Sequence, residues 1–114
     1  MSKRMLLIGE PMGLFIADSF GRLEYIDKFS LSTCGAELNV AIGLRRLGHN
    51  VTYFTKLGHD LLATRILHTL TCNGISTDSI IYSDTASTGF MFKSRVADGD
   101  PDIYYCRKGS AAST

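Results

Sequence analysis

The chain has 114 residues, 45% of them hydrophobic and 20% charged, with a formal net charge of +1, which describes one ordinary soluble domain or part of one. That balance supplies no basic surface to recruit nucleic acid or an anionic membrane, and no segment approaches the roughly 18 apolar residues of a membrane helix. The three cysteines, Cys34, Cys72 and Cys106, lack C-x-x-C spacing, so they suggest neither a disulfide framework nor a zinc site and fit a reducing cytoplasm.

In chain order, residues 5–8 form a short apolar run ended by Gly9, which predicts a strand buried on both faces as in a parallel sheet; the same Gly9-Glu10-Pro11 interruption leaves no signal-peptide core. From Met12 the pattern alternates, with Met12, Leu14 and Ile16 on one side. A turn at Asp18-Ser19-Phe20-Gly21 and an extended segment over residues 23–29 then predict a hairpin with one solvated face.

Residues 36–47 place Ala36, Val40, Leu44 and Leu47 at helical spacing with Arg45 and Arg46 opposite, and Gly48 is the expected stop. Gly43 inside that helix costs about 1 kcal/mol relative to Ala, which predicts close packing against a strand. Residues 51–56 read as the next strand. Asp60 is the expected N-cap of a helix reaching about Cys72, with Leu62, Ile66, Leu67 and Leu70 inward and Asn73-Gly74 ending it. A short strand at residues 80–82 follows, then extended segments at 89–96 and 102–108 joined by the turn sequence Ala97-Asp98-Gly99-Asp100-Pro101. The two hairpins interrupt an alternating α/β run and are expected to pair into a small sheet of their own over the parallel one.

Three groups of residues carry candidate chemistry. Gly35, Ala36 and Asn39 open a helix whose N–H groups and amide can meet hydroxyls or a carboxylate; equally, Gly35 can be a plain tight turn and Asn39 a first-turn polar residue. Tyr105 and Arg107, two apart on a strand, point the same way and suit an anionic polyol-like ligand, although they also read as a strand former and a solvated end. Glu10 stands at the carboxyl end of the first strand, where open α/β sheets place ligands, or serves as an ordinary hydrogen-bonded loop acid. The stripe Phe90-Met91-Phe92 reads as hairpin packing, with Met91 a candidate to line a site beside Tyr105. His49, His59 and His68 show no metal-ligand spacing, and neither G-x-x-x-x-G-K-[ST] nor G-x-G-x-x-G is present.

At Cys34-Gly35-Ala36-Glu37-Leu38-Asn39-Val40-Ala41, Leu47-Gly48 and Leu57-Gly58-His59-Asp60 the chain resembles the ribokinase, or PfkB, family of carbohydrate kinases. Within the family, GEPM near the start and YYCRKGSAAS near the end look most like 2-keto-3-deoxygluconate kinases. The resemblance spans essentially the whole chain. It implies an α/β fold in which residues 1–114 are the N-terminal portion of one ribokinase-like domain, with parallel core strands, helices, and a β lid formed by two hairpins at about residues 12–33 and 88–108.

The same resemblance implies substrate binding by Gly35, Asn39, Met91, Tyr105 and Arg107, with Arg107 near a sugar-acid carboxylate, and a possible homodimer through the lid. ATP and Mg2+ are implied for the full-length family enzyme, with the catalytic Asp, the anion hole and the nucleotide loops expected beyond Thr114; no catalytic or metal-binding residue is assigned here. The chain is accordingly expected to be a substrate-and-lid fragment, inactive alone. Fragments of a fructokinase or ribokinase, or a non-catalytic sugar-binding or oligomerisation module, are the alternatives. Two departures accompany the resemblance: Cys34 replaces the first glycine of the usual pair, which crowds the turn if that position needs positive φ, and Met91 stands where some relatives carry an aromatic.

Overall fold

The computed structural model describes residues 4–113. Strand β1 (Arg4–Ile8) pairs in parallel with β4 (Asn50–Phe54), in a register that sets Leu7 opposite Tyr53. Strand β5 (Lys56–Gly58) pairs in parallel with β6 (Ile81–Ser83). The segment expected as one strand over residues 51–56 is thus divided at Thr55, whose carbonyl accepts the Ile81 N–H, so that each half takes a different partner.

The hairpin segments form a second layer. Strands β2 (Met12–Phe20), β3 (Phe29–Cys34), β7 (Phe90–Arg95) and β8 (Ile103–Cys106) make a four-stranded sheet in the order β3-β2-β7-β8. Its outer pairs are antiparallel hairpins and its central β2–β7 pair is parallel. The first turn lies later than expected: β2 runs through Phe20, Leu23–Tyr25 form a 3-10 turn, and the return strand starts at Phe29. Its outer face stays open to solvent but is aromatic. Phe15 stacks on Phe92 at 5.0 Å, and Phe29 and Phe90 meet Phe92 edge-on at 5.3 and 5.9 Å, an aromatic cluster built by the period-2 alternation of three strands.

Helix α1 (Ala36–Arg46) covers β1 and β4, while α2 (Leu61–Cys72) leans on β2 and β3. The core between them holds Leu38, Ala41, Val51, Tyr53, Leu57, Ala63, Ile66, Leu70, Ile75 and Ile80. On α2 the inward face is the expected one, and Asp60 caps it by accepting the Ala63 N–H at 2.9 Å. On α1 it is so only in part. Leu44 packs on the core as expected, but Leu38 and Ala41 are the buried residues, whereas Val40 is 51% and Leu47 76% exposed, so the apolar stripe is rotated from the one the spacing suggested. Gly43 lies on the open side, where a Cβ would meet nothing within 4 Å, so close strand packing does not explain it. β1 is likewise buried on one face only: Leu7 packs on the core, while Leu6 and Ile8 on the other face are 60% and 66% exposed.

Candidate functional site

The pleat of the four-stranded sheet selects which residues meet. Met12 lies opposite Cys34, and Met91 opposite Tyr105, on the face away from the Phe15–Phe92 stack. Arg107 continues that face past the end of β8, its guanidinium carbon 4.6 Å from the Tyr105 ring centroid. Between exposed side chains a cation–π contact of this kind favours that orientation by about 0.5–1 kcal/mol.

These side chains and the start of α1 enclose a cavity of about 380 Å3 lined by Glu10, Met12, Cys34, Gly35, Ala36, Glu37, Met91, Tyr105 and Arg107. Four of the five residues expected from the sequence therefore stand together: Gly35, Met91, Tyr105 and Arg107. Asn39 does not join them. It is exposed one turn into α1, outside this lining, and its backbone N–H is spent on the Gly35 carbonyl.

Gly35 has φ +140° and ψ 132°, and a Cβ there would lie 3.2 Å from the Glu10 carbonyl oxygen and 3.3 Å from the Pro11 Cα. Both the backbone angle and the close approach demand glycine. Gly35 occupies the N-cap position of α1 and supplies no side-chain cap, so the helix begins uncapped beside the cavity. Cys34 fits without strain: no described residue other than glycine has positive φ, and Cys34 closes β3 in extended backbone. The crowding expected from the missing first glycine does not arise. Burial pushes the Cys34 thiol up, offset in part by the charge of Lys93, so the thiol stays protonated at neutral pH.

The cavity thus offers one guanidinium, two carboxylates, Glu10 and Glu37, and an apolar wall of Met12 and Met91. Beside it, Tyr53 is fully buried with its hydroxyl unpartnered among the described residues. Burial first, then the charges of Glu37 and Glu10, push its phenol well above the usual range. Tyr53 and Met12 were missed by sequence reasoning. Met12 was recoverable from the alternation that puts it beside Cys34, but nothing local marks Tyr53 as more than a strand former. Among the described residues no three of His, Cys, Asp and Glu converge to hold a metal ion. The exposed His59 pairs with Asp84 at 3.0 Å and stacks on Tyr82, away from this cavity.

The model of the pfkB family of carbohydrate kinases matches residues 2–114. The chain belongs to that family. It is similar to the 2-dehydro-3-deoxygluconokinase of Bacillus subtilis (strain 168), at 45% identity over 107 residues that make up 93% of this chain and 33% of that protein. The PfkB protein from Polaromonas sp. JS666 superposes with a TM-score of 0.91 at 42% identity, covering 99% of this chain and 37% of that one. A fructokinase from Xylella fastidiosa, solved with bound ATP, superposes with a TM-score of 0.83 at 26% identity over 98% of this chain and 35% of its own. The fold of this pfkB chain is therefore the ribokinase-like one, and the chain spans about a third of the length of the relatives it matches. No helix among its described residues is long and apolar enough to cross a membrane.

Proposed function

We propose that this chain supplies the sugar-binding wall and the lid of an ATP-dependent kinase acting on a sugar acid, 2-keto-3-deoxygluconate, in a reducing cytoplasm. The observation that carries the reading is the convergence of Arg107, braced on Tyr105, with the uncapped start of α1 around one cavity. A guanidinium forks onto a carboxylate, and the helix N–H groups and the acid Glu37 suit sugar hydroxyls. In this reading Gly35, Met91, Tyr105 and Arg107 bind substrate directly, while Asn39 at the first turn of α1 reaches it only with a side-chain rearrangement. The four-stranded sheet acts as the lid, and its aromatic face is where a second copy would pack.

ATP and Mg2+ are implied by the family for the longer enzyme, and among the described residues no three of His, Cys, Asp and Glu converge to hold the metal. No phosphoryl-transfer step is assigned to these side chains, and residues 1–114 alone are expected to transfer no phosphate from ATP to the keto acid in a coupled assay. A second reading, a fructokinase, is favoured by the similarity to the Xylella fastidiosa enzyme. Calorimetric titration of the chain with 2-keto-3-deoxygluconate and with fructose separates the two. Saturable binding of the keto acid, at least tenfold tighter than fructose, is expected; equal or reversed affinities would replace the sugar-acid reading by the fructokinase one.

A further inference from the structure

Glu10 is separated from Ser110 by a hundred residues, yet the Ser110 hydroxyl donates to Glu10 Oε2 at 2.5 Å. A hydroxyl donating to a carboxylate oxygen makes a charge-assisted bond, stronger than a neutral one. Ser110 is 3% exposed, so the bond is sheltered from water on that side. Its backbone N–H donates to the Arg107 carbonyl at 3.0 Å, closing a turn through Gly109, and the next residue, Ala111, donates its N–H to the Ser87 carbonyl at 2.7 Å. The turn that carries Arg107 is therefore pinned at its far end by Glu10.

Gly89 marks the same junction. A Cβ built there would lie 2.7 Å from Glu10 Oε2, 3.3 Å from the Arg107 Cβ and 3.5 Å from the Met12 Cγ. Three cavity residues from beyond the end of β1, the start of β2 and beyond the end of β8 converge on a position that has no side chain.

We infer that Glu10 and Ser110 form a latch whose role is to position the Arg107 guanidinium over the cavity, so that Glu10 serves ligand binding through Arg107. The inference rests on the reading of the cavity as a sugar-acid site for its binding consequence, but the latch itself is measurable without ligand. In the free chain, the Tyr105 ring shifts the side-chain resonances of Arg107 that lie over it. Glu10→Gln and Ser110→Ala each collapse that ring-current shift and speed hydrogen exchange at the Ser110 amide, and the double variant does no more than either single one. Ser110→Thr, which keeps the hydroxyl, retains the shift. Should Glu10→Gln fail to fold, Ser110→Ala and its Thr counterpart carry the test alone.

With 2-keto-3-deoxygluconate as the probe, Glu10→Gln weakens binding about tenfold, the cost of a charged hydrogen bond, and this loss disappears in an Arg107→Ala background. An unchanged Arg107 shift in both single variants would overturn the latch. A Glu10→Gln loss that persists undiminished without Arg107 would overturn the positioning role and make Glu10 a direct ligand contact. If the unsubstituted chain binds no keto acid while the shift still collapses in the variants, the sugar-acid reading fails and the latch stands.

Discussion

The two helices of this chain begin in opposite ways. α2 is sealed: Asp60 Oδ1 accepts the Ala63 N–H and Oδ2 accepts the Thr88 N–H, both at 2.9 Å, while the Thr88 hydroxyl accepts the Gly58 N–H at 3.0 Å. This knot ties the helix to the strand segment leading into β7. α1 is open: its N-cap is Gly35, no side chain caps it, and its first residues Ala36 and Glu37 face a cavity. An aspartate cap satisfies the orphan N–H groups that end a helix, and a glycine leaves them for something else. The contrast assigns stability to one helix start, and in the proposed reading it leaves the other for a ligand.

The strongest way to break the contrast is to close the open end. Gly35→Ala forces an L residue into φ +140° with its Cβ against the Glu10 carbonyl; it should cost about 1–3 kcal/mol in thermal or urea unfolding and abolish keto-acid binding in the same preparation. Asp60→Ala does the reverse. It should cost about 2 kcal/mol, the upper range for a lost cap, because the Thr88 N–H loses its acceptor too, while keto-acid binding by the folded chain stays unchanged.

Acid sharpens the same point. Burial raises the Asp60 pKa, but the N–H bonds from Thr88 and Ala63 outweigh it and hold the carboxyl below its ordinary value. A depressed carboxylate stabilises the fold above its unfolded pKa, so this contribution is full at neutral pH and fades as pH falls through and below the ordinary aspartate range. Urea unfolding of Asp60→Asn across that window should show a shallower loss of stability than the unsubstituted chain; parallel curves would remove Asp60 as a source of the acid sensitivity. The smallest effect belongs to Glu37→Gln, which removes an acid from the first turn of α1. Loss of its favourable interaction with the helix dipole should cost about 0.3–1 kcal/mol, visible as a small shift of the urea midpoint.

The same contrast shows what the sequence made legible. Asp60 and the apolar spacing of α2 agree with each other, and the helix, its cap and its buried face were all readable. For α1 the limits and the inward Leu44 were readable, but the rest of the buried face was not. Leu38 and Ala41 face inward because the Gly35 turn and the packing on β1 and β4 orient the helix, and no local spacing encodes that rotation. The pairing of the two hairpins into one sheet followed from their positions within the α/β run, the shared side of Tyr105 and Arg107 from their spacing of two, and the place of Met91 beside them from the family resemblance. The Glu10–Ser110 bond spans a hundred residues and left no local trace beyond an acid at a strand end. The exposed Leu6 and Ile8 escaped notice because an apolar run reads the same whether one face or both are covered.

The role proposed for Arg107 is to read a carboxylate over the open end of α1. Its most direct test is titration of the unsubstituted chain and of Arg107→Ala with 2-keto-3-deoxygluconate, with circular dichroism to confirm that both are folded. Saturable binding that weakens at least tenfold on loss of the guanidinium is expected, in line with a charged hydrogen bond worth about 1.5–3 kcal/mol. Equal affinity of the two folded chains for the keto acid would contradict it.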